Sequence, residues 1–161
     1  MHAKEKIYFN SPIGIFEAIS YEDALISLKI VKDFSTSDIE TDLFKRLKTQ
    51  LNEYFLGKRK TFDIAINPQG TSFQKSVWAE LAKIPYGETK NYSEIAIQIK
   101  NNNATRAVGN ACNKNPIMIL IPCHRVISKN GAIGGFAYGN TIKHDLLNLE
   151  NRIANLSKKK F

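Results

Sequence analysis

Cysteine is scarce in this chain: 161 residues contain two, Cys112 and Cys123. Two cysteines make neither a disulfide framework nor a four-ligand zinc site, so any special role must come from reactivity. Long apolar runs are also missing. No stretch approaches the roughly 18 residues of a membrane span, and the opening "MHAKEKIYFN" lacks the apolar core and small-residue cleavage site of a secretory signal. These absences predict a folded protein inside the cell, cytoplasmic or, in a eukaryote, nuclear, with no membrane partner. Acidic residues are scarce in one half only. Residues 1–68 carry ten Lys/Arg and ten Asp/Glu, whereas residues 69–161 carry thirteen against five, so the whole net charge of +8 sits in the second half. Part of that excess is the "SKKKF" tail. The remainder points to a polyanion, with nucleic acid ahead of a membrane surface because no basic amphipathic helix is present.

What is present divides at "NPQGTS", residues 67–72, a loop by its Pro, Gly, Ser and Thr content. We read residues 1–68 as an α+β scaffold: a hairpin from "SPIGIFEAIS" and "ALISLKIV", a helix over 38–56 with Ile39, Leu43, Leu47, Leu51 and Phe55 in a stripe that Gly57 stops, and a short strand "TFDIAI". Residues 69–161 begin with a helix carrying Phe73, Val77, Trp78, Leu81 and Ala82. A second helix starts at a capping box of Asn91 and Glu94, and a third, capped by Asn103, ends at Asn115 and Pro116. Two short helices across a tight polar break suggest a helix-turn-helix, although two helices of a small bundle give the same periodicity. The third helix is built from small side chains, Ala104, Ala107, Gly109 and Ala111, with Arg106 the one long cation near its start. Gly109 costs about 1 kcal/mol there relative to Ala, a cost more easily tolerated where a partner approaches the backbone closely.

The segment "IMILIP" reads as a buried strand that delivers Cys123 and His124, and the last helix, 141–157, sets Ile142, Leu146, Leu149, Ile153 and Leu156 in a stripe that Glu150 borders. Only a thiolate is a strong nucleophile, so something must take the proton of Cys123 and keep the sulfur ionised. Cys123, His124 and Glu150 supply the residue types of a nucleophile, a base and a carboxylate that orients it. Adjacent side chains diverge after a strand, so this relay needs a bridging water or a turn at Cys123. Alternative cysteine chemistry fits less well: a phosphatase loop would need Arg where Lys129 stands, no C-x-x-C exists, and "GAIGGFAYG" does not open a helix as a dinucleotide-binding loop does. His2 and His144 have no neighbouring ligands in sequence.

"IPCHRV", in order with "VW", "IPYGETKNYSEIA", "RAVGNACNKNP", "NGAIGGFAYG" and "LLNLE", resembles the O6-alkylguanine-DNA alkyltransferase family, over residues 70–150 and more weakly in the first half. The resemblance implies a ribonuclease-H-like N-terminal domain and a C-terminal winged helix-turn-helix that binds the DNA minor groove of duplexes holding alkylated guanine. It implies irreversible transfer of a methyl or alkyl group from O6-alkylguanine, with O4-alkylthymine a second candidate, to Cys123, once per molecule, by a monomer with no cofactor. His124, through a water, is the base; Glu150 orients it; Asn115 braces the turn before the cysteine; Tyr92 protonates the leaving base. Arg106 fills the space of the extruded base, and Tyr92, Ser93, Ala107, Ala111 and Lys129 contact DNA. Cys112, Val126, Phe136, Ala137 and Tyr138 line the pocket.

The sequence departs from the family pattern at four places. Phe136 stands where Tyr is common and offers no hydroxyl, followed by Ala137 where some members have Ser. Tyr138 replaces a common Gly and narrows the pocket against bulky alkyl groups. The first half has no cysteine, so no zinc is expected there. Cys112 replaces a nonpolar pocket residue, and we expect it to be inert. Two other readings remain at this stage: a lesion-sensing DNA-binding protein without chemistry, whose relatives lack the cysteine, and a turnover cysteine hydrolase, which leaves the basic half unexplained.

Overall fold

The computed structural model describes residues 3–131 and 140–158. The chain forms two compact units, Met1–Gln69 and Gly70–Phe161, and both mix helix with strand.

The first unit is a three-stranded antiparallel sheet in the order β1 (Glu5–Ser11), β2 (Gly14–Tyr21), β3 (Ala24–Val31). The β2–β3 hairpin was legible in the sequence; β1 was not. Its Ile7 and Phe9 alternate into the core, pairing through Phe9↔Phe16. Glu22 and Asp23 both take positive φ, 49° and 62°, which a two-residue hairpin turn of the right twist requires. Helix α1 (Asp42–Phe55) buries Leu43, Phe44, Leu47, Leu51 and Tyr54. Its start is later than the apolar stripe suggested, because the Thr41 hydroxyl accepts from the Phe44 N–H and sets the cap. Ile39 lies outside the helix and is 86% exposed. Gly57, at φ 74°, ends α1 by donating to the Tyr54 carbonyl. The expected strand at 61–66 does not form. Only a parallel bridge, Leu25↔Ile66, joins it to β3. Side chains of α1 occupy the ladder groups instead: the Asp63 N–H donates to Gln50 at 2.9 Å, and its carbonyl accepts from Arg46.

In the second unit, α2 (Ser72–Leu81) opens on a reciprocal Thr71–Gln74 capping box, and Trp78 donates its indole N–H to the Ala111 carbonyl at 2.9 Å. Strand β4 (Lys90–Asn91) leads into α3 (Tyr92–Gln98), where Asn91 and Glu94 form the capping box read from the sequence. Lys100, in the left-handed region at φ 62°, turns the chain toward α4 (Thr105–Asn113). Asn103 does not cap α4. Ala104 holds that position, and no side chain bonds there.

Residues 116–121 are the main correction to the sequence reading, for they curl instead of extending. Asn115 replaces a strand partner: its Oδ1 accepts from the Ile117 N–H at 2.9 Å while its Nδ2 donates to the Ile121 carbonyl at 2.7 Å. Ile119 is forced to φ 70°. The turn buries Ile117, Met118, Ile119 and Ile121 and hands the chain to a 3₁₀ turn, Cys123–Arg125, then to β5 (Val126–Ile127), which pairs in parallel with β4. Helix α5 (Asn140–Lys158) closes the unit. Its buried face is centred on Lys143, Leu146 and Glu150, with Leu156 53% exposed, so Glu150 is central to the packed stripe and not at its border.

Candidate active site

Cys123 opens the 3₁₀ turn, and this turn redirects His124 as a strand would not. The thiol is 3% exposed. Asn115 Nδ2 donates to Cys123 Sγ at 3.1 Å, so one side chain both shapes the turn and holds the sulfur. Burial pushes the thiol pKa up to about 11, against the downward pull of the Asn115 hydrogen bond and the Lys143 charge. The expectation of a standing thiolate is therefore corrected. In the resting protein the sulfur is protonated because its desolvation outweighs its partners.

His124 is 0% exposed and Glu150 1%. Their contact, His124 Nε2 to Glu150 Oε2, is 2.6 Å. Burial opposes ionisation of Glu150, but hydrogen bonds and charge from His124 and Arg125 overcome it and bring the carboxyl to about 2. An ionised carboxylate only accepts, so Nε2 carries the imidazole proton and Nδ1 presents its lone pair. Burial also lowers the His124 pKa, with the bond to Glu150 pulling the other way. The resting ring is thus a neutral base. Its Nδ1 is buried with no hydrogen-bond partner, the sulfur included, among the described residues.

Two residues of this site were missed in the sequence. Arg125 clasps Glu150 with a fork, Nε to Oε1 at 2.8 Å and Nη2 to Oε2 at 3.0 Å, and donates to the Ile84 carbonyl at 2.8 Å. Its signal was its place beside His124, since one buried carboxylate must be neutralised. Lys143 is fully buried and donates to the Val126 carbonyl at 2.5 Å. Its signal was spacing: positions 143 and 150 lie two turns apart on one helix face. Tyr92, the first residue of α3, sets its hydroxyl 3.5 Å from Lys143 Nζ. Burial, then the two cysteines, raise the Tyr92 phenol to about 12, so it remains a proton donor. Cys112 on α4 is buried, and burial and Cys123 push it up to about 12. Both cysteines are free thiols.

Arg106, Ala107 and Lys129 are exposed and Ser93 is half-buried. Ala111 is 1% exposed and Ala104 7%. These two therefore pack inward with Val108, and among the alanines read as a low surface only Ala107 faces outward. Val126 is buried. Phe136, Ala137, Tyr138 and the rest of the glycine-rich segment lie outside the described residues. His144 is exposed and bonded to Asn148. No group of three or more metal-ligating acids, histidines or cysteines occurs among the described residues, and no helix among them is long and apolar enough to cross a membrane.

Comparison with known proteins assigns residues 5–68 to the ribonuclease-like domain of 6-O-methylguanine DNA methyltransferase and residues 72–152 to its DNA binding domain. A methylated-DNA--protein-cysteine methyltransferase of Methanosarcina mazei is 57% identical over 146 residues, 87% of this chain and 92% of that one. The constitutive enzyme of that name from Bacillus subtilis is 47% identical over 117 residues, 72% and 71% of the two chains. The crystal structure of Mycobacterium tuberculosis OGT in complex with DNA matches with TM-score 0.86 at 40% identity, over 92% of this chain and 93% of that one. With both halves matched and the cysteine set in its network, this chain belongs to the 6-O-methylguanine DNA methyltransferase family.

Proposed function

We infer that the protein repairs DNA by direct reversal, moving a methyl or alkyl group from the O6 of guanine to Cys123. The observation that carries this reading is the His124 ring, bonded to an ionised carboxylate through Nε2 and left with a buried, basic Nδ1. That nitrogen serves as the proton acceptor for the thiol through one bridging water. The sulfur then forms a bond to the alkyl carbon as the carbon–O6 bond breaks, and the electron pair leaves with the guanine. Tyr92, a phenol at neutral pH, donates toward that leaving base. Guanine thus carries the proton of Tyr92, the thiol's proton passes from His124 through solvent to restore the phenol, and the thioether remains on the protein. Each molecule acts once.

DNA is the partner. In this reading α4 enters the minor groove and the lesion is flipped out of the stack. A Cβ placed on Gly109 would meet nothing nearer than the Tyr92 ring at 3.9 Å. Packing within the chain therefore does not demand glycine there, which supports close approach by a partner. Arg106 occupies the place of the everted base, and Lys129 contacts phosphate. The protein works as a monomer in the compartment that holds the genome.

Incubation with duplex DNA containing O6-methylguanine should add one methyl group to the tryptic peptide NPIMILIPCHR, and Cys123→Ser should abolish the addition. Methyl on AVGNACNK would move the acceptor to Cys112, and tight lesion binding without transfer would replace repair by sensing.

A further inference from the structure

Arg125 is 7% exposed, and its guanidinium commits three donors to Glu150 and the Ile84 carbonyl. Its flat faces offer no hydrogen bond and suit an aromatic ring. Tyr86 supplies one: Arg125 Cζ lies 5.7 Å over the centre of its ring. Tyr86 is the second residue of a turn that the Glu88 N–H closes on the Pro85 carbonyl at 3.1 Å. The third, Gly87, takes φ 81°, the left-handed value that such a position favours. A Cβ there would lie 2.8 Å from the Ala154 Cβ of α5, so the helix comes as near the turn as glycine allows. In the same approach the Gly87 N–H reaches Glu150 Oε1 at 3.4 Å. One short segment, 84–87, thus meets the Arg125–Glu150 pair with a carbonyl, a ring and an N–H, and alkyl transfer as written uses none of them.

We propose that Tyr86 is a positioning residue for alkyl transfer: its ring holds the Arg125 guanidinium flat against Glu150, shuts water out of the pair, and so keeps the carboxylate fixed where His124 Nε2 needs it. The proposal rests on the alkyl-transfer reading and adds to it a residue that acts through Arg125. Glu150 Oε2 accepts from both Arg125 and His124, so any drift of the guanidinium moves the oxygen that sets the tautomer of the imidazole. Water admitted at that point would also relieve the burial that is the largest cause of the lowered His124 pKa. The imidazole would then be protonated at higher pH, and less of it would be the free base that the thiol needs. The charged groups acting on His124 are Glu150, Arg125 and Lys143; those acting on Tyr86 are Glu150, Arg125 and Arg152. Burial, then the Glu150 charge, raise the Tyr86 phenol to about 12, so it stays neutral and its face stays available to a cation.

Two measurements test this. In the first, the single-turnover rate of methyl transfer from O6-methylguanine duplex DNA is followed against pH for the unaltered chain, Tyr86→Leu and Tyr86→Phe. Tyr86→Leu should slow transfer roughly three- to thirtyfold at neutral pH, the size of effect one desolvated cation–ring contact has, and move the acid limb of the profile to higher pH. Tyr86→Phe, which keeps the ring, should recover most of both. A folded Tyr86→Leu protein with the parent's rate and acid limb overturns the proposal, as does a Tyr86→Phe protein that behaves like Tyr86→Leu. The second measurement keeps the shape of the ring and alters its charge distribution: phenylalanine, then mono-, tri- and pentafluorinated phenylalanine, is placed at position 86, and the nitrogen-15 shifts of the His124 imidazole are titrated without DNA. The midpoint should rise with each step of fluorination, because the hold of the ring on the guanidinium weakens. A merely space-filling ring would give one midpoint for the whole series, and that result overturns the proposal. Should the unaltered chain transfer no methyl group, the parent reading fails, and with it the use of this network in catalysis; transfer intact with a flat fluorine series overturns the proposal alone.

Discussion

Arg125 and His124, consecutive in sequence, close on the same carboxylate from two directions: Arg125 Nη2 and His124 Nε2 meet Glu150 Oε2 at 3.0 and 2.6 Å. A 3₁₀ turn makes this possible, because neighbouring side chains there point about a third of a turn apart. One acid thus serves a permanent cation and an imidazole that, in the proposed transfer, becomes a second one.

Replacing that acid should be costly. Glu150→Gln leaves the Arg125 charge buried without its counter-ion, and the expected destabilisation is about 3–5 kcal/mol, read by urea denaturation. Transfer should also slow, since the imidazole loses the anion that fixes its tautomer. A Glu150→Gln protein as stable and as fast as the parent would contradict the assignment.

Acid should weaken the fold in two stages. The His124 pKa is lowered from 6.5 on folding, so the unfolded chain takes up that proton first and stability declines as pH falls through about 6.5. The Glu150 carboxyl is depressed from 4.5 to about 2, so its contribution is present above 4.5 and is lost between there and about 2. Urea midpoints measured across the acid range should fall in both windows. Glu150→Gln should remove the lower one.

Asn115 carries both the turn and the sulfur contact. Asn115→Ala strands a buried N–H and a buried carbonyl, at about 1–3 kcal/mol each, and loosens Cys123. Asn115→Asp keeps the shape but turns a donor into an acceptor facing the Ile121 carbonyl and the sulfur. Transfer by the Asp variant should fall below that of the Ala variant, in quench-flow assays on lesion DNA.

Arg106 and Lys129 are both exposed cations, yet their loss should read differently. Lys129→Ala should weaken binding to all duplexes alike and reduce the slope of log K against log salt by about 1. Arg106→Ala should reduce preference for lesion over undamaged DNA with little change in slope. Fluorescence anisotropy at several salt concentrations separates the two, and equal effects would refute these roles.

The Asn91–Glu94 capping box and the apolar periodicity were readable because both are local, whereas the equally local Thr71–Gln74 box was passed over because Thr71 lies in a stretch with the composition of a loop. Cys123, His124 and Glu150 were readable as chemical types. What stayed hidden depended on distant backbone. "IMILIP" has the composition of a strand, and nothing local says that the Asn115 amide will cap it into a turn. Arg125 and Lys143 look like solvated cations until the fold buries them against Glu150 and Val126. The resting charge of Cys123 was misjudged for the same reason, since desolvation is a property of the packed unit.

The chain has a single tryptophan, and its indole N–H is tied to the Ala111 carbonyl of α4. The lone strong fluorophore is thus wired to the helix assigned to the groove. Any tilt of that helix must change the environment of the ring, which gives the molecule a native optical gauge of DNA engagement, with no label to attach.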